Sequence, residues 1–374
     1  MSGATIGPVL PLMSEVFADT PNAELLTRLV LTMPALFIVL SSTLCGYLVD
    51  KFGRKKILVT ATLVYGIAGS AGAWLDSLTA ILVSRAILGI SVAGIMTVCV
   101  TLIGDYYEGS ERQHIMGLQS AFMAFGGVIF ISAGGALADV SWRAPFLIYT
   151  SALVLSPAII FIITEPKKTE RASVKPSSHS FSSMPLRVIG LIIFSAFAGM
   201  AMFYMIPVYI PFLIDSMGDV SNTGIGLALS SFVLMGALVA LNYQWILSRS
   251  SHFSIYLFCF FLLGAGYMLI SHATGYPDIF IGLIIGGIGS GLLMPNSNVW
   301  LLSEAPRHLR GRLSGTLTSA IFLGQFLSPI LTQPLVNITS IQTGFFIIGI
   351  SVVIISLFLT TIYLFYGYDR LAGS

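Results

Sequence analysis

The sequence has little charge. Its 374 residues include 18 Lys and Arg and 16 Asp and Glu, or 9% of the chain, where a soluble domain carries about 25%. Hydrophobic residues make up 56%, and the mean hydropathy is +0.92. A water-exposed surface needs more charge than this, and a net charge of +2 provides no basic field for a polyanion. The composition therefore excludes a soluble enzyme and a nucleic-acid partner, and it favours a multi-pass membrane protein.

Cysteine and phosphate-binding motifs are also scarce. Cys45, Cys99 and Cys259 stand alone in apolar runs, without the spacing of a metal site or a disulfide framework. No Walker A sequence is present, and the glycine run from Gly287 to Gly291 lies inside an apolar stretch without a preceding strand. We therefore expect no cofactor and no metal. Energy for any transport would come from an ion gradient or from the solute itself.

Long apolar runs are what the sequence has in abundance. A bilayer core requires about 20 apolar helical residues, and eleven stretches qualify: 27–49, 57–75, 79–103, 114–138, 144–163, 188–214, 223–246, 253–271, 277–302, 313–336 and 343–366. Gly3–Met13 is apolar but too short to cross. We interpret it as half of a first span whose beginning is missing; the alternative is a short re-entrant or interfacial segment.

The basic residues predict the orientation of the spans. One set of loops and the tail hold 15 of the 18 Lys and Arg, whereas the other set holds Arg28 and Arg143, and Arg85 lies within a span. Because Lys and Arg are enriched in cytoplasmic loops, the first set is predicted to be cytoplasmic. Both termini would then lie in the cytoplasm, which requires an even number of spans, twelve with the half helix.

The middle of the chain is polar and separates two similar halves. Residues 164–187 are basic and rich in serine, as in a solvated linker. They divide the chain into a bundle at 1–163 and a bundle at 188–374, each with six spans. The halves match at an offset of 198 residues, as in Gly89 with Gly287 and Arg112 with Arg310. Such a repeat is a known transporter plan, with the substrate site between the halves.

The strongest local motif follows the second span. The run GYLVDKFGRKK from Gly46 resembles the loop 2–3 signature of the major facilitator superfamily, and the likeness extends over essentially the whole chain. The resemblance implies an all-α membrane fold of two six-helix bundles. It also implies a cytoplasmic gate formed by Gly46, Asp50, Gly53, Arg54 and Asp105. In that gate Arg54 pairs with Asp105, Asp50 docks near the start of the eleventh span, and the glycines permit close approach and a tight turn. The alternative for this run is a positively charged membrane anchor only.

Two further motifs point to the twelve-span drug:proton antiporter group of this superfamily. Arg85 begins RAILG in the fourth span, which resembles the RxxxG motif that is implicated in proton transfer in proton-coupled relatives. A lone arginine in an apolar span is a functional candidate, although it could instead reach the membrane surface. Pro8 and Pro11 resemble the PvxP element of the same group.

The fifth span departs from the antiporter signature GxxxGPxxGG. Gly126, Gly134 and Gly135 are kept, but Phe130 and Ile131 replace the central Gly-Pro. Since that pair is associated with antiport, its replacement leaves the direction of transport open.

Candidate cavity residues are amides, methionines and one tyrosine in the spans: Gln119, Met123, Met202, Tyr204, Asn242, Asn296, Asn298 and Gln325. No buried carboxylate is apparent, so a bulky amphipathic solute that is neutral or anionic fits better than an organic cation. For each of these residues, ordinary helix packing is the alternative.

We therefore expect a secondary transporter and no enzyme activity, because no nucleophile–base pair lies at plausible depth. The main hypothesis is proton-coupled efflux of small drug-like or siderophore-like compounds by a monomer in a bacterial plasma membrane, with proton and lipid as further partners and multidrug resistance as a consequence. Proton-symport uptake of an organic anion is the second hypothesis. A transporter-like receptor that moves nothing is the third.

Overall fold

The computed structural model describes residues 4–166, 185–218, 220–306 and 309–366, and these ranges contain helices and no strands. Eleven helical segments within them are long and apolar enough to cross a membrane. This confirms the eleven predicted spans and the all-α membrane fold class. Residues 4–16, which include most of the predicted half span Gly3–Met13, form a 3₁₀ segment followed by a short α-helix.

The helices up to the linker begin with a 3₁₀ segment at Ala4–Val9 and continue as α1 Leu10–Val16, α2 Ala23–Phe52, α3 Arg54–Ser70, α4 Leu78–Tyr106, α5 Gly109–Ala138, a 3₁₀ segment at Ala144–Thr150 and α6 Ser151–Ile162. After the linker come α7 Leu186–Asp215, α8 Asn222–Leu241, α9 Tyr243–Leu247, α10 His252–Ser271, α11 Tyr276–Gly291, α12 Leu293–Glu304, α13 Arg310–Ile338 and α14 Ile341–Tyr366. Most of the predicted linker lies outside the described residues.

Packing groups the chain into two compact units. Unit 1 comprises Met1–Arg171 with Ile210–Leu227, and unit 2 comprises Ala172–Tyr209 with Ala228–Ser374. The segment from Ile210 to Leu227 therefore packs with the first half of the chain, although the sequence assigned it to the second bundle. The cause is visible in its contacts with α2 and α5, described below.

Unit 1 is built around α4. Helices α2 and α3 pack against α4, and a fully buried cluster that includes Ile6, Val9, Val30 and Leu88 fills the space next to it. Small residues allow this close approach, as is usual in membrane helices. A Cβ at Gly89 would overlap the main-chain oxygen of Pro34 in α2.

Unit 2 repeats this contact. Helix α11 packs against α8 so closely that a Cβ at Gly287 would lie 2.6 Å from the main-chain oxygen of Phe232. Gly287 and Phe232 are each 198 residues beyond Gly89 and Pro34. The offset found in the sequence therefore corresponds to a repeated helix crossing. The tenth span breaks between α11 and α12, since Pro295 has no N–H to donate to the carbonyl of Gly291.

We predict that Gly287→Ala destabilises the protein by about 1–3 kcal/mol, because overpacking forces α8 and α11 apart. Gly190→Ala is the matched control, since no atom lies within 4 Å of a Cβ at Gly190 in α7. Thermal unfolding of the purified variants in detergent measures the difference. Equal Tm values for the two variants would contradict the close crossing.

Candidate functional site

The turn between α2 and α3 holds the centre of the GYLVDKFGRKK run. Gly53 has φ +94° and ψ 158°, a conformation that is essentially restricted to glycine. A Cβ there would also lie 2.8 Å from Oε1 of Glu165, the residue that follows α6 by three positions. The Glu165 carboxylate accepts hydrogen bonds from the main-chain N–H groups of Arg54 (2.7 Å) and Lys55 (2.8 Å). A negative charge at the start of α3 complements the helix dipole. Glu165 was not predicted from the sequence.

Arg54 pairs with the acid that the resemblance assigned to it. Its Nε donates to Oδ2 of Asp105 in the last turn of α4, at 3.1 Å. The two side chains are only 13% and 17% exposed, so this pair is less screened than an ordinary surface ion pair. The turn is thus attached to α4 through Arg54 and to the end of α6 through Glu165.

The other two predicted gate residues have different surroundings. Asp50 lies in the last turn of α2 and is exposed; its predicted docking at the eleventh span stays a prediction. Gly46 was expected to permit a close helix approach. A Cβ at this position would meet no described atom within 4 Å, so packing in this structure does not require a glycine there.

Arg85 is fully buried in unit 1 and does not reach the surface. Its Nη2 donates to the main-chain oxygens of Ala68 (3.2 Å) and Gly69 at the end of α3. Its guanidinium carbon lies 5.0 Å from the ring centre of Phe146 and 5.1 Å from that of Tyr149. Carbonyl oxygens at a helix C-terminus and aromatic faces both favour a cation. Within the described ranges, no carboxylate forms an ion pair with Arg85.

A second buried arginine was missed in the sequence. Arg28 was assigned to a loop, but it lies in the second turn of α2 and is 1% exposed. It pairs with Glu24 at 2.5 Å, and its guanidinium carbon lies 5.2 Å from the ring centre of Phe212 in the α7 segment of unit 1. The periodicity of α2 could have revealed it, since Arg28, Leu31, Thr32 and Ala35 form one buried face.

Two of the three glycines kept in the fifth span, Gly134 and Gly135, are contact points. A Cβ at Gly134 would overlap the main-chain oxygen of Thr5, and a Cβ at Gly135 would lie 2.6 Å from that of Asn222. Phe130 is 43% exposed, whereas Ile131 is buried. The small residues of this signature therefore serve helix packing within unit 1, even though its central Gly-Pro is absent.

Asp139 follows α5 directly and caps the start of α8. Its carboxylate accepts from the N–H groups of Asn222 (2.8 Å) and Thr223 (3.1 Å) and from the Thr223 hydroxyl (2.5 Å). The hydrogen bond from the Thr223 hydroxyl, assisted by the two N–H groups, lowers the pKa of the Asp139 carboxyl below its ordinary range. Asp139 is a polar link between α5 and α8 that the sequence did not suggest.

The candidate cavity residues do not form one group. In unit 1, Gln119 is half-buried and Met123 is 48% exposed on α5. In unit 2, Asn242 and Asn298 are exposed, and each donates its amide N–H to the main-chain oxygen four residues earlier, that of Leu238 and of Met294. Met202, Tyr204 and Gln325 are each 8% exposed, as expected for packing.

Asn296 lies in a polar cluster that the sequence did not predict. It is fully buried, and its Oδ1 is 2.9 Å from Nδ1 of His252 and 3.3 Å from the Tyr243 hydroxyl. Its Nδ2 donates to the main-chain oxygen of His252 at 2.9 Å. Because its amide is used in these contacts, Asn296 joins α12 to the start of α10 and does not line an open cavity in unit 2.

Comparison with known proteins identifies the class. The profile of the Major Facilitator Superfamily matches residues 1–220 and 191–370. The chain therefore belongs to the Major Facilitator Superfamily, and it is a multi-pass membrane transporter and not an enzyme. The crystal structure of a D-xylose-proton symporter superposes with a TM-score of 0.76 at 15% identity, over 96% of this chain and 94% of that one. This likeness concerns the fold alone.

Two named relatives match the sequence at higher identity, one over part of the chain and one over most of it. The bacillibactin exporter of Bacillus subtilis (strain 168) is 31% identical over 146 residues, which is 37% of this chain and 36% of that protein. The tetracycline resistance protein, class C, of Escherichia coli is 27% identical over 353 residues, which is 87% of this chain and 84% of that protein. The first match therefore spans little more than a third of its relative's length.

We predict that Gly53→Ala destabilises the protein by about 1–3 kcal/mol, because the backbone conformation is strained for any Cβ and Glu165 must move. Gly46→Ala serves as control, since that position has open space. The comparison uses Tm in detergent. If Gly53→Ala unfolds at the same temperature as Gly46→Ala, the turn does not depend on the Gly53 conformation.

We also predict a pH-dependent contribution from Asp139. A lowered pKa in the folded state means that its stabilisation is present above the unfolded-state value of about 4 and is lost as the pH falls through the folded value. Asp139→Asn should therefore lower Tm at pH 7 and narrow the difference in Tm between pH 7 and pH 3. An unchanged difference would show that the cap does not contribute. Asp19→Asn, in the loop between α1 and α2, is the control.

Proposed function

We propose that the protein exports small amphipathic organic compounds, drug-like or siderophore-like, in exchange for protons. Export is supported by the names of the two relatives, an exporter of bacillibactin and a tetracycline resistance protein. Of the predicted cavity residues, Met123 and Asn298 are exposed, and methionine and amide side chains suit bulky amphipathic solutes. Alternating access would come from rocking of the two halves.

Arg85 carries the proton-coupling part of this proposal. It is a permanent positive charge in an apolar interior, and the groups around it are carbonyl oxygens and aromatic rings. A fixed cation changes the proton affinity of any acid that approaches it, and the effect is large where water is excluded. In the proposed mechanism, Arg85 acts on a proton that is held by another group.

The turn after α2 is proposed as the gate. Its proposed members are Gly46, Asp50, Gly53, Arg54 and Asp105, and Glu165 now joins them. The Arg54–Asp105 ion pair and the Glu165 cap hold the turn in one conformation. In the proposed orientation, with both termini in the cytoplasm of a bacterial cell, the turn would control the cytoplasmic side. A monomer embedded in lipid suffices for this mechanism.

Proton-symport uptake of an organic anion is the second candidate. The observation that favours it is the fifth span, where Phe130 and Ile131 stand in place of the Gly-Pro pair that is associated with antiport. Arg85 would then attract the anion directly. The two candidates differ in the direction of proton flow that accompanies the solute.

The test uses proteoliposomes that contain a pH-sensitive dye and are loaded inside-acid. Lipophilic cations, neutral compounds and organic anions are added outside in turn. Antiport predicts solute-dependent proton release in the wild type and a loss of about tenfold or more in Arg85→Gln, corresponding to a contribution of 1.4 kcal/mol or more. Arg85→Lys, which keeps the charge, should retain part of the proton release.

Arg143→Gln is the matched control. Arg143 pairs with Asp76 and is 33% exposed, so its loss should leave proton release unchanged. Proton entry driven by solute into symmetric vesicles would establish symport instead. Arg85→Lys and Arg85→Gln variants that lose stability and proton release equally would show that Arg85 is needed for folding and not for coupling.

A further inference from the structure

A cavity in unit 2 occupies the place where unit 1 has its Arg54–Asp105 ion pair. Arg54 is the first residue of α3, and the residue 198 positions later, His252, is the first residue of α10. The C-terminal ends of α4 and α12 are related by the same offset of 198 residues, since α4 ends at Tyr106 and α12 ends at Glu304. The repeat therefore has a histidine where the first half has an arginine. The carboxylate at the end of α12 has shifted by one position from that of Asp105.

His252 and Glu304 do not form an ion pair. Instead they line a cavity of about 450 Å³ together with Leu247, Ser250, Ser251, Phe253 and Trp300. Trp300 connects the two sides, since its ring stacks on His252 with centres 5.6 Å apart and its Nε1 donates to Oε1 of Glu304 at 3.3 Å. The imidazole of His252 is shorter than the guanidinium at the matching position, and the volume between His252 and Glu304 is open.

The hydrogen bonds fix which groups the cavity offers. Asn296 Oδ1 is an acceptor, so its contact with His252 assigns the proton to Nδ1 and leaves Nε2 as an acceptor in the neutral ring. Glu304 is half-buried and brings a carboxylate. Ser250 and Ser251 add hydroxyl oxygens, whereas Leu247 and Phe253 add apolar surface. The lining is therefore rich in acceptors, and it has one negative charge and one aromatic wall.

Two arginines that lie close to the cavity residues in sequence have other partners. Arg249 lies 4.2 Å from the ring centre of Trp245 and donates to the main-chain oxygen of that residue. Arg310 donates its Nε to the main-chain oxygen of Ala305 at 3.2 Å. Among the described residues, Glu304 has no ion pair, and it lines the cavity.

We propose that the cavity between His252 and Glu304 binds a small organic cation, with a guanidinium or ammonium group on a short apolar stem. The cation takes the place that Arg54 fills in the other half. Its N–H groups donate to the carboxylate of Glu304 in a charge-assisted hydrogen bond. They also donate to Nε2 of His252 or to the serine hydroxyl oxygens. Leu247 and Phe253, which line the cavity, contact the stem. Occupancy would add a further link between the start of α10 and the last turn of α12, besides the Asn296 and Trp300 contacts, as the ion pair attaches α3 to α4.

Calorimetric titration of the purified full chain with n-butylguanidinium tests the proposal, with n-butylammonium and n-butyrate as companion probes. We expect saturable binding of n-butylguanidinium, weaker binding of n-butylammonium because it lacks the planar fork, and no binding of n-butyrate. Glu304→Gln should weaken the affinity for n-butylguanidinium about tenfold or more through loss of the charge. Asp278→Asn removes a charge from the same unit at α11 and should leave the affinity unchanged.

His252→Arg provides an independent variant, because it restores an arginine at the repeat position. It should abolish binding of n-butylguanidinium and raise Tm, as the side chain fills the cavity and pairs with Glu304. Three results would each overturn the proposal: equal binding of n-butyrate, unchanged affinity in Glu304→Gln, or wild-type affinity in a folded His252→Arg. A loss of affinity in Asp278→Asn equal to that in Glu304→Gln would also overturn it, since binding would then reflect total charge.

Discussion

The cost of placing charge in an apolar interior determines how unit 1 is assembled. A guanidinium cannot give up its proton, so each buried arginine must find acceptors or aromatic faces nearby. Arg85 finds them in the carbonyl oxygens that end α3 and in the rings of the 3₁₀ segment at Ala144–Thr150. Arg28 finds them in Glu24 and in Phe212 of the α7 segment. These requirements join α3, α4 and the sixth span at Arg85, and α2 and α7 at Arg28.

Helix ends form the second organising theme. The start of α3 is capped by Glu165, the start of α8 by Asp139, and the start of α10 by Ser251. Each cap satisfies N–H groups that a helix leaves without partners. Glu165 and Asp139 are distant in sequence from the helices that they cap. Their hydrogen bonds therefore also fix the end of α6 beside α3 and the end of α5 beside α8. In a membrane protein, where packing gains little from the hydrophobic effect, such bonds carry much of the specificity.

The local parts of this structure were readable from the sequence, whereas the long-range contacts outside the family motif were not. The spans follow from apolar runs, and the Arg54–Asp105 pair follows from a family motif whose residue types are all present. The burial of Arg28 was missed because positive charges near span ends were assigned to loops. Glu165, Asp139 and the His252–Asn296 contact were missed because no local pattern relates residues 44 to 111 positions apart. The offset of 198 residues was the exception, since a repeat carries information about distant positions.

The Glu165 cap limits the binding of phosphate groups at the turn after α2. Lys51, Arg54, Lys55 and Lys56 make this a basic segment, and an uncapped helix N-terminus beside such residues would be an anion-binding site. Glu165 already accepts the N–H groups of Arg54 and Lys55, and Asp105 occupies the Arg54 side chain. An anionic lipid headgroup or a nucleotide can therefore reach this turn only through flexible lysine side chains. Such contacts are weak, diffuse and sensitive to salt.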